Sequence, residues 1–310
     1  MSGFDLWAMV NAASSSEEMA AARRPNWIKS IELVLNLPGT QVDIRGGGEY
    51  ENCTPLHTAV CHGDLDITKL LLKYGANPNE VCGGETALLC VHRIQTYDNS
   101  LKAAYQITRL AIASELLKHN ANINATNSAG QTALYLTTYE QIDLGMFLFL
   151  LTNNADVSIG RGNRSTSWNY TMLENLFGAN PNTKDTMQMK MLLLERGADI
   201  NEIRPENYQQ STLLHDVVRN RHYTSKAEVS FLIQNGVLDL QDREGETASS
   251  LAFGRGDTDL AAHIDHEFEM REERYLALAM GTHDRLGEAS HTNHLTADLM
   301  RILLGVRGQG

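Results

Sequence analysis

The sequence predicts an all-α solenoid of about six to seven stacked helix-turn-helix units, finished by a helical C-terminal cap. Three observations carry this. A helix start built on threonine recurs as Thr54-Pro55-Leu56-His57, Thr86-Ala87-Leu88, Thr132-Ala133-Leu134 and Thr212-Leu213-Leu214-His215. A closing pair, Gly or Asn followed by Ala, recurs as Gly75-Ala76, Asn120-Ala121, Asn154-Ala155 and Gly197-Ala198, with Asn79, Asn124 and Asn201 just beyond. Between start and close lie two short amphipathic stretches, and the phasing runs from Asn52 to Ile264.

Residues 1–49 read as an atypical first unit, with "DLWAMVNAA" (5–13) as its first helix and "IKSIELVLNLPGTQVDIR" (28–45) as its second half. A solenoid needs such a unit to cover its first exposed apolar face. Residues 50–264 carry the remaining units. In "TPLHTAVCHGDLDITKLLLKYGANPN" (54–79), Thr54 suits the N-cap and Pro55 the first helical position, where a missing N–H costs nothing. Gly63 turns the chain into a second helix marked by Leu70, Leu71 and Leu72, and Gly75 ends it. The same layout runs from "GETALLCVH" (84–92) to "ELLKHNANIN" (115–124), across 130–158, from "TMLENL" (171–176) to "KMLLLERGADIN" (190–201), and from "STLLHDVV" (211–218) to 247, where the last unit opens. Each helix pair is apolar on one side and buries that side only against a neighbouring pair. Residues 265–310 read as a helical tail, beginning with a charged stretch whose apolar stripe includes Tyr275 and Leu276.

These threonine starts and Gly/Asn-Ala closes resemble the ankyrin repeat family, so the expected fold is an ankyrin-repeat solenoid. The starting threonines lie 32 residues apart (54 to 86), then 46 (86 to 132), and 35 at the end (212 to 247). Against the family's period of about 33 residues, this places insertions near 93–106 and 160–186, with a smaller one at 219–226. His57 and His215 fall where the resemblance implies a buried imidazole bonded to the neighbouring backbone and to the threonine hydroxyl.

Composition narrows the function classes. A net charge of −12 argues against a nucleic-acid footprint and against an anionic membrane surface. The N-terminus has no basic region and Asp5 interrupts its apolar stretch, so no signal peptide is read there; "LGMFLFLL" (144–151) is too short to span a membrane. A cytoplasmic or nuclear setting follows as the expectation, with Cys53, Cys61, Cys82 and Cys90 as reduced thiols. Their spacings of 8, 21 and 8 do not make the close pairs of a zinc site. No phosphate loop, nucleophile elbow or zinc-protease helix is present, and "HIDHE" and "HTNH" near the C-terminus match no ligand set. No catalytic residue, cofactor or metal is nominated.

The resemblance implies a non-catalytic protein-binding role, on a concave face made by loop tips and first helices. The polar tips nominated as partner contacts are Tyr50, Glu51, Glu85, Ser128, Gln131, Gln209, Gln210, Asp242 and Glu244. Trp168 and Tyr170 in the long insertion are added as aromatic anchors. The tail is somewhat like a short F-box motif at Leu295, Asp298, Leu299, Ile302 and Leu303, which implies the alternative role of a ubiquitin-ligase substrate receptor. Its second residue is Thr296 where the motif has Pro, and the bland alternative is a cap over the last unit. Leu193, Asp199 and Asn201 match the pattern that an asparaginyl hydroxylase recognises in such repeats, against a plain turn-stabilising role for Asn201.

Overall fold

The computed structural model describes residues 6–14, 17–46, 53–94, 102–139, 142–159, 171–178, 183–202, 211–219 and 225–286. The chain divides into two compact units, one of residues 1–176 and 182–197, the other of residues 177–181 and 198–310.

In the first unit the helices come in pairs: α1 (Leu6–Ser14) with α2 (Glu17–Leu35), α3 (Pro55–Cys61) with α4 (Leu65–Lys73), α5 (Ala87–Cys90) with α6 (Lys102–Lys118), and α7 (Ala133–Tyr139) with α8 (Leu144–Thr152). A single 3-10 turn, Val91–Arg93, follows α5; α9 (Met172–Gly178) and α10 (Lys184–Glu195) come next. First helices pack on first helices (α1 on α3, α3 on α5) and second on second (α2, α4, α6, α8 and α10 in turn). Leu56, Ala59 and Val60 of α3, Ile67 and Leu71 of α4, and Ile112, Ala113 and Leu116 of α6 are without solvent exposure. Burying one such Leu or Ile contributes about 1.5–3 kcal/mol, and no single pair could supply both walls.

The second unit holds α11 (Leu213–Arg219), α12 (Lys226–Gln234), α13 (Ala248–Gly254) and α14 (Thr258–Leu286). Helix α12 opens on a capping box: Ser225 Oγ accepts from the Glu228 N–H, and the Glu228 carboxylate accepts from the Ser225 N–H. Helix α14 packs on α12 and α13, and Arg271 donates to the carbonyls of Ile233 and Val237 at the end of α12. A guanidinium there adds a donor to carbonyls at and just beyond the last turn, where the helical ladder runs out.

The Gly/Asn-Ala close has a local cause. Gly75 has φ +87°, its N–H donates to Leu72 O, and the Ala76 N–H donates to Leu71 O, both at 3.0 Å. This is the Schellman ending, whose left-handed residue is best glycine and next asparagine. Asn120 and Asn154 occupy it at φ +63° and +64°, which is why the signature alternates between those two residue types.

The structure adds detail at three places. Residues 102–106 of the insertion expected at 93–106 are helical and begin α6, while 95–101 lie outside the described residues. Helix α14 runs through the boundary expected at 264/265 without a break. Thr54 sits at the N-cap of α3, yet its hydroxyl bonds His57 and no backbone N–H.

Candidate protein-interaction face

Two of the turns that precede the first helices are built by one device. At 127–131, the Asn127 carboxamide oxygen accepts from the N–H groups of Ala129 (3.0 Å) and Gln131 (2.9 Å), while Gly130 takes φ +78°. At 242–246, Asp242 Oδ1 accepts from Glu244 N (2.9 Å) and Glu246 N (3.1 Å), with Gly245 at φ +79°. Short Asx side chains satisfy the tip's own backbone, so these tips hold shape without outside help. The earlier tip, Cys82 to Glu85, closes by paired backbone bonds of 2.8 and 2.9 Å.

Buried histidines tie two of these tips, those at 82–85 and 242–246, to the preceding first helix. His57 Nε2 lies 3.2 Å from Glu85 O and His215 Nε2 2.9 Å from Glu246 O. A carbonyl can only accept, so Nε2 carries the proton and Nδ1 accepts, from Thr54 Oγ1 and Thr212 Oγ1 at 2.8 Å each. His57 is 1% exposed, and burial holds its imidazole below its ordinary value, in keeping with the neutral form. Asparagines make a second set of ties. Asn79 donates to Asn120 O and accepts from Asn122 N; Asn201 donates to Gly236 O (3.1 Å) and accepts from Leu238 N (2.7 Å). Asp43 takes the same place in the first pair, accepting from Asn77 N.

Residues 51–82, which hold the first complete start, turn and close, match the profile of the ankyrin repeat family. The chain folds as an ankyrin-repeat solenoid. It is 34% identical over 153 residues to an ankyrin repeat protein of Rickettsia felis, a match covering 48% of this chain and 43% of that protein, so the chain spans less than half of that relative's length. The fold is similar to the ankyrin repeat domain of Bcl-3, a member of the IkappaB family, with TM-score 0.58 and 22% identity over 82% of this chain and 96% of that one. Ankyrin repeats as a class mediate protein–protein interaction and are typically non-catalytic. No helix among the described residues is long and apolar enough to cross a membrane.

The structure treats the nominated contact residues differently. Ser128 and Glu244 are exposed at their ankyrin tips, and Gln131 is half-buried, its amide oxygen accepting from Asn127 Nδ2. Asp242 is buried: beyond its turn bonds, its Oδ2 accepts from Arg219 at 2.6 Å. Glu85 is also buried, paired with Arg93 at 2.9 Å and accepting from Cys90 Sγ at 3.6 Å. The Asp242 side chain builds its tip and the Glu85 side chain is held by Arg93 and Cys90, so the exposed surface there belongs to their neighbours. Tyr50, Glu51, Trp168, Tyr170, Gln209, Gln210 and the tail positions Leu295, Asp298, Leu299, Ile302 and Leu303 lie outside the described residues.

Two features escaped the sequence reading. Cys53 and Cys82, expected as thiols, are joined as a disulfide with Cα atoms 4.9 Å apart, linking the segments ahead of α3 and α5. The equal intervals of 8 that separate Cys53 from Cys61 and Cys82 from Cys90 were the available signal, because they put the cysteines at matching places in adjacent repeats. The second feature is a buried ion pair, Arg109 with Asp143 at 3.0 Å, between α6 and the start of α8. Arg109 lies mid-helix, where charge is ordinarily read as solvated.

Proposed function

We propose that this chain is a non-catalytic scaffold or assembly subunit that holds another protein on its ankyrin tips and first helices. One observation carries the reading: the tips at 127–131 and 242–246 have backbones fixed by their own Asx side chains, while Ser128 and Glu244 remain exposed. A surface that is ordered before binding gives up little entropy when a partner docks. Trp168 and Tyr170 of the inserted segment near 160–186, with the insertion near 93–106, are proposed as further contacts, and the net charge of −12 suits a partner with a basic patch. The proposed setting is the cytoplasm or nucleus. The ubiquitin-ligase receptor reading rests on 291–310, and no observation favours it.

Cross-linking mass spectrometry on the protein isolated from its own cells tests the proposal. Cross-links from one partner should converge on the tips, the first helices and the inserted segments. Convergence on the outward sides of α2, α4, α8 and α10 would refute it. Ser128→Arg and Glu244→Arg should weaken capture of that partner while the far-UV circular dichroism stays unchanged.

A further inference from the structure

Cys61 ends α3 and Cys90 ends α5, and these two first helices pack on each other. The interval from 61 to 90 is 29 residues, the same as that between the disulfide-bonded Cys53 and Cys82. The disulfide lies before the N-termini of the two helices and the free pair at their C-terminal ends. The two thiols are neighbours across the packed ends of α3 and α5: Cys90 Sγ lies 3.6 Å from Glu85 Oε2, Arg93 holds that same carboxylate oxygen at 2.9 Å, and the Cys61 thiol interacts with this group. The two sulfurs differ in access, Cys61 being half-buried and Cys90 4% exposed.

We infer that Cys61 and Cys90 form a peroxide-sensitive dithiol, in which Cys61 is oxidised first and Cys90 resolves it to a second cross-repeat disulfide. In the first step Cys61 loses its proton to solvent and its thiolate attacks one peroxide oxygen; the O–O bond breaks, and the departing oxygen takes a proton back from solvent and leaves as water, or as an alcohol from an organic peroxide. Cys61 is then a sulfenic acid. In the second step Cys90 passes its proton to the Glu85 carboxylate beside it, its sulfur attacks the Cys61 sulfur, and the S–O bond breaks. The hydroxide takes up that proton and leaves as water. Two thiols have lost two electrons and two protons, and the peroxide has gained them.

The surroundings favour this order. A hydrogen bond from Cys90 and, against the effect of burial, the Arg93 charge hold the Cys61 thiol below its ordinary value. The bond to Cys61, burial and Glu85 push the Cys90 thiol well up. The thiolate is the nucleophile, so reactivity falls to the more exposed sulfur beside the guanidinium. Closing the pair would bridge the two repeats at the opposite ends of α3 and α5 from the existing disulfide.

The full chain, treated with hydrogen peroxide and the sulfenic-acid trap dimedone, tests this by non-reducing peptide mass spectrometry. Wild type should yield the Cys61–Cys90 peptide pair with the Cys53–Cys82 pair retained. Cys90→Ser should accumulate the dimedone adduct on Cys61, and Cys61→Ser should leave Cys90 unmodified. In untreated wild type, which needs no substitution to fold, iodoacetamide should alkylate Cys61 roughly tenfold faster than Cys90, or more. Absence of the 61–90 link, an adduct on Cys90 in Cys61→Ser, or alkylation of Cys90 first would each overturn the inference.

Discussion

Removing the Asp143 charge should loosen the joint between α6 and α8 by about 3 kcal/mol, the low end for stranding one partner of a buried ion pair. Asp143 has three partners: its Oδ1 accepts from Met146 N at 2.9 Å as the N-cap of α8 and from Gln106 Nε2 at 3.1 Å, and its Oδ2 accepts from Arg109 at 3.0 Å. Both side chains are largely out of solvent, at 11% exposure for Arg109 and 7% for Asp143. Asp143→Asn keeps the cap acceptor and strands the guanidinium, which stays charged. Asp143→Ala also loses the cap, adding about 1 kcal/mol. Arg109→Met with Asp143→Asn removes the stranded charge and should recover most of the loss, to within about 1 kcal/mol of wild type. Native-state hydrogen exchange of the α8 amides reads this directly. Because every 1.4 kcal/mol is tenfold, Asp143→Asn should exchange roughly a hundredfold faster than wild type, and the double variant less than about tenfold faster. If the double variant exchanges as fast as Asp143→Asn, the stranded charge is not the cause and the reasoning fails.

Four further outcomes follow from the same structure. Reducing Cys53–Cys82, which closes a loop of sequence separation 29, should lower stability by roughly 3.5 kcal/mol on the chain-entropy account, seen as a lower urea midpoint in reductant; an unchanged midpoint would refute the tie. Gly46→Ala should cost about 1–3 kcal/mol, since its Cβ would run into the buried Trp7 ring, while Gly178→Ala, with nothing within 4 Å, should cost nothing in the same thermal melts. His57 has its pKa lowered in the fold, so its contribution is present above the unfolded value of about 6.5 and is lost as pH falls from there through the folded value; the urea midpoint of His57→Gln should therefore fall less between pH 7 and 5 than that of wild type. Exposure to an asparaginyl hydroxylase should add one oxygen to Asn201 only if its two bonds to the next loop open, so Asn201→Ala should abolish any such mass increase; oxygen found elsewhere would refute the assignment.

How much was legible follows from which interactions are local. Thr54, Pro55, Gly63 and Gly75 act within a few residues of themselves, through a cap position, a preset φ and two left-handed turns, so one stretch of 26 residues disclosed the repeat. His57 was readable for the same reason on its Nδ1 side, with Thr54 three positions away; the Nε2 bond to Glu85 crosses 28 positions and needed the stacked neighbour. The nominated tips show the limit. Ser128 and Asp242 look alike as polar residues at turns, yet their turn positions differ: Asp242 occupies the place of Asn127, whose side chain folds back on the tip, while Ser128 points out. Aligning "NSAGQ" with "DREGE" by their glycines would have separated the two. The cysteines argue the same point more strongly. Reading them as one cluster tests for a metal site and finds none, whereas reading them modulo the repeat gives two pairs, 53 with 82 and 61 with 90. In a repeat protein the residue one period away is a spatial neighbour, so period-shifted comparison, more than local spacing, is the test that chemistry between repeats requires.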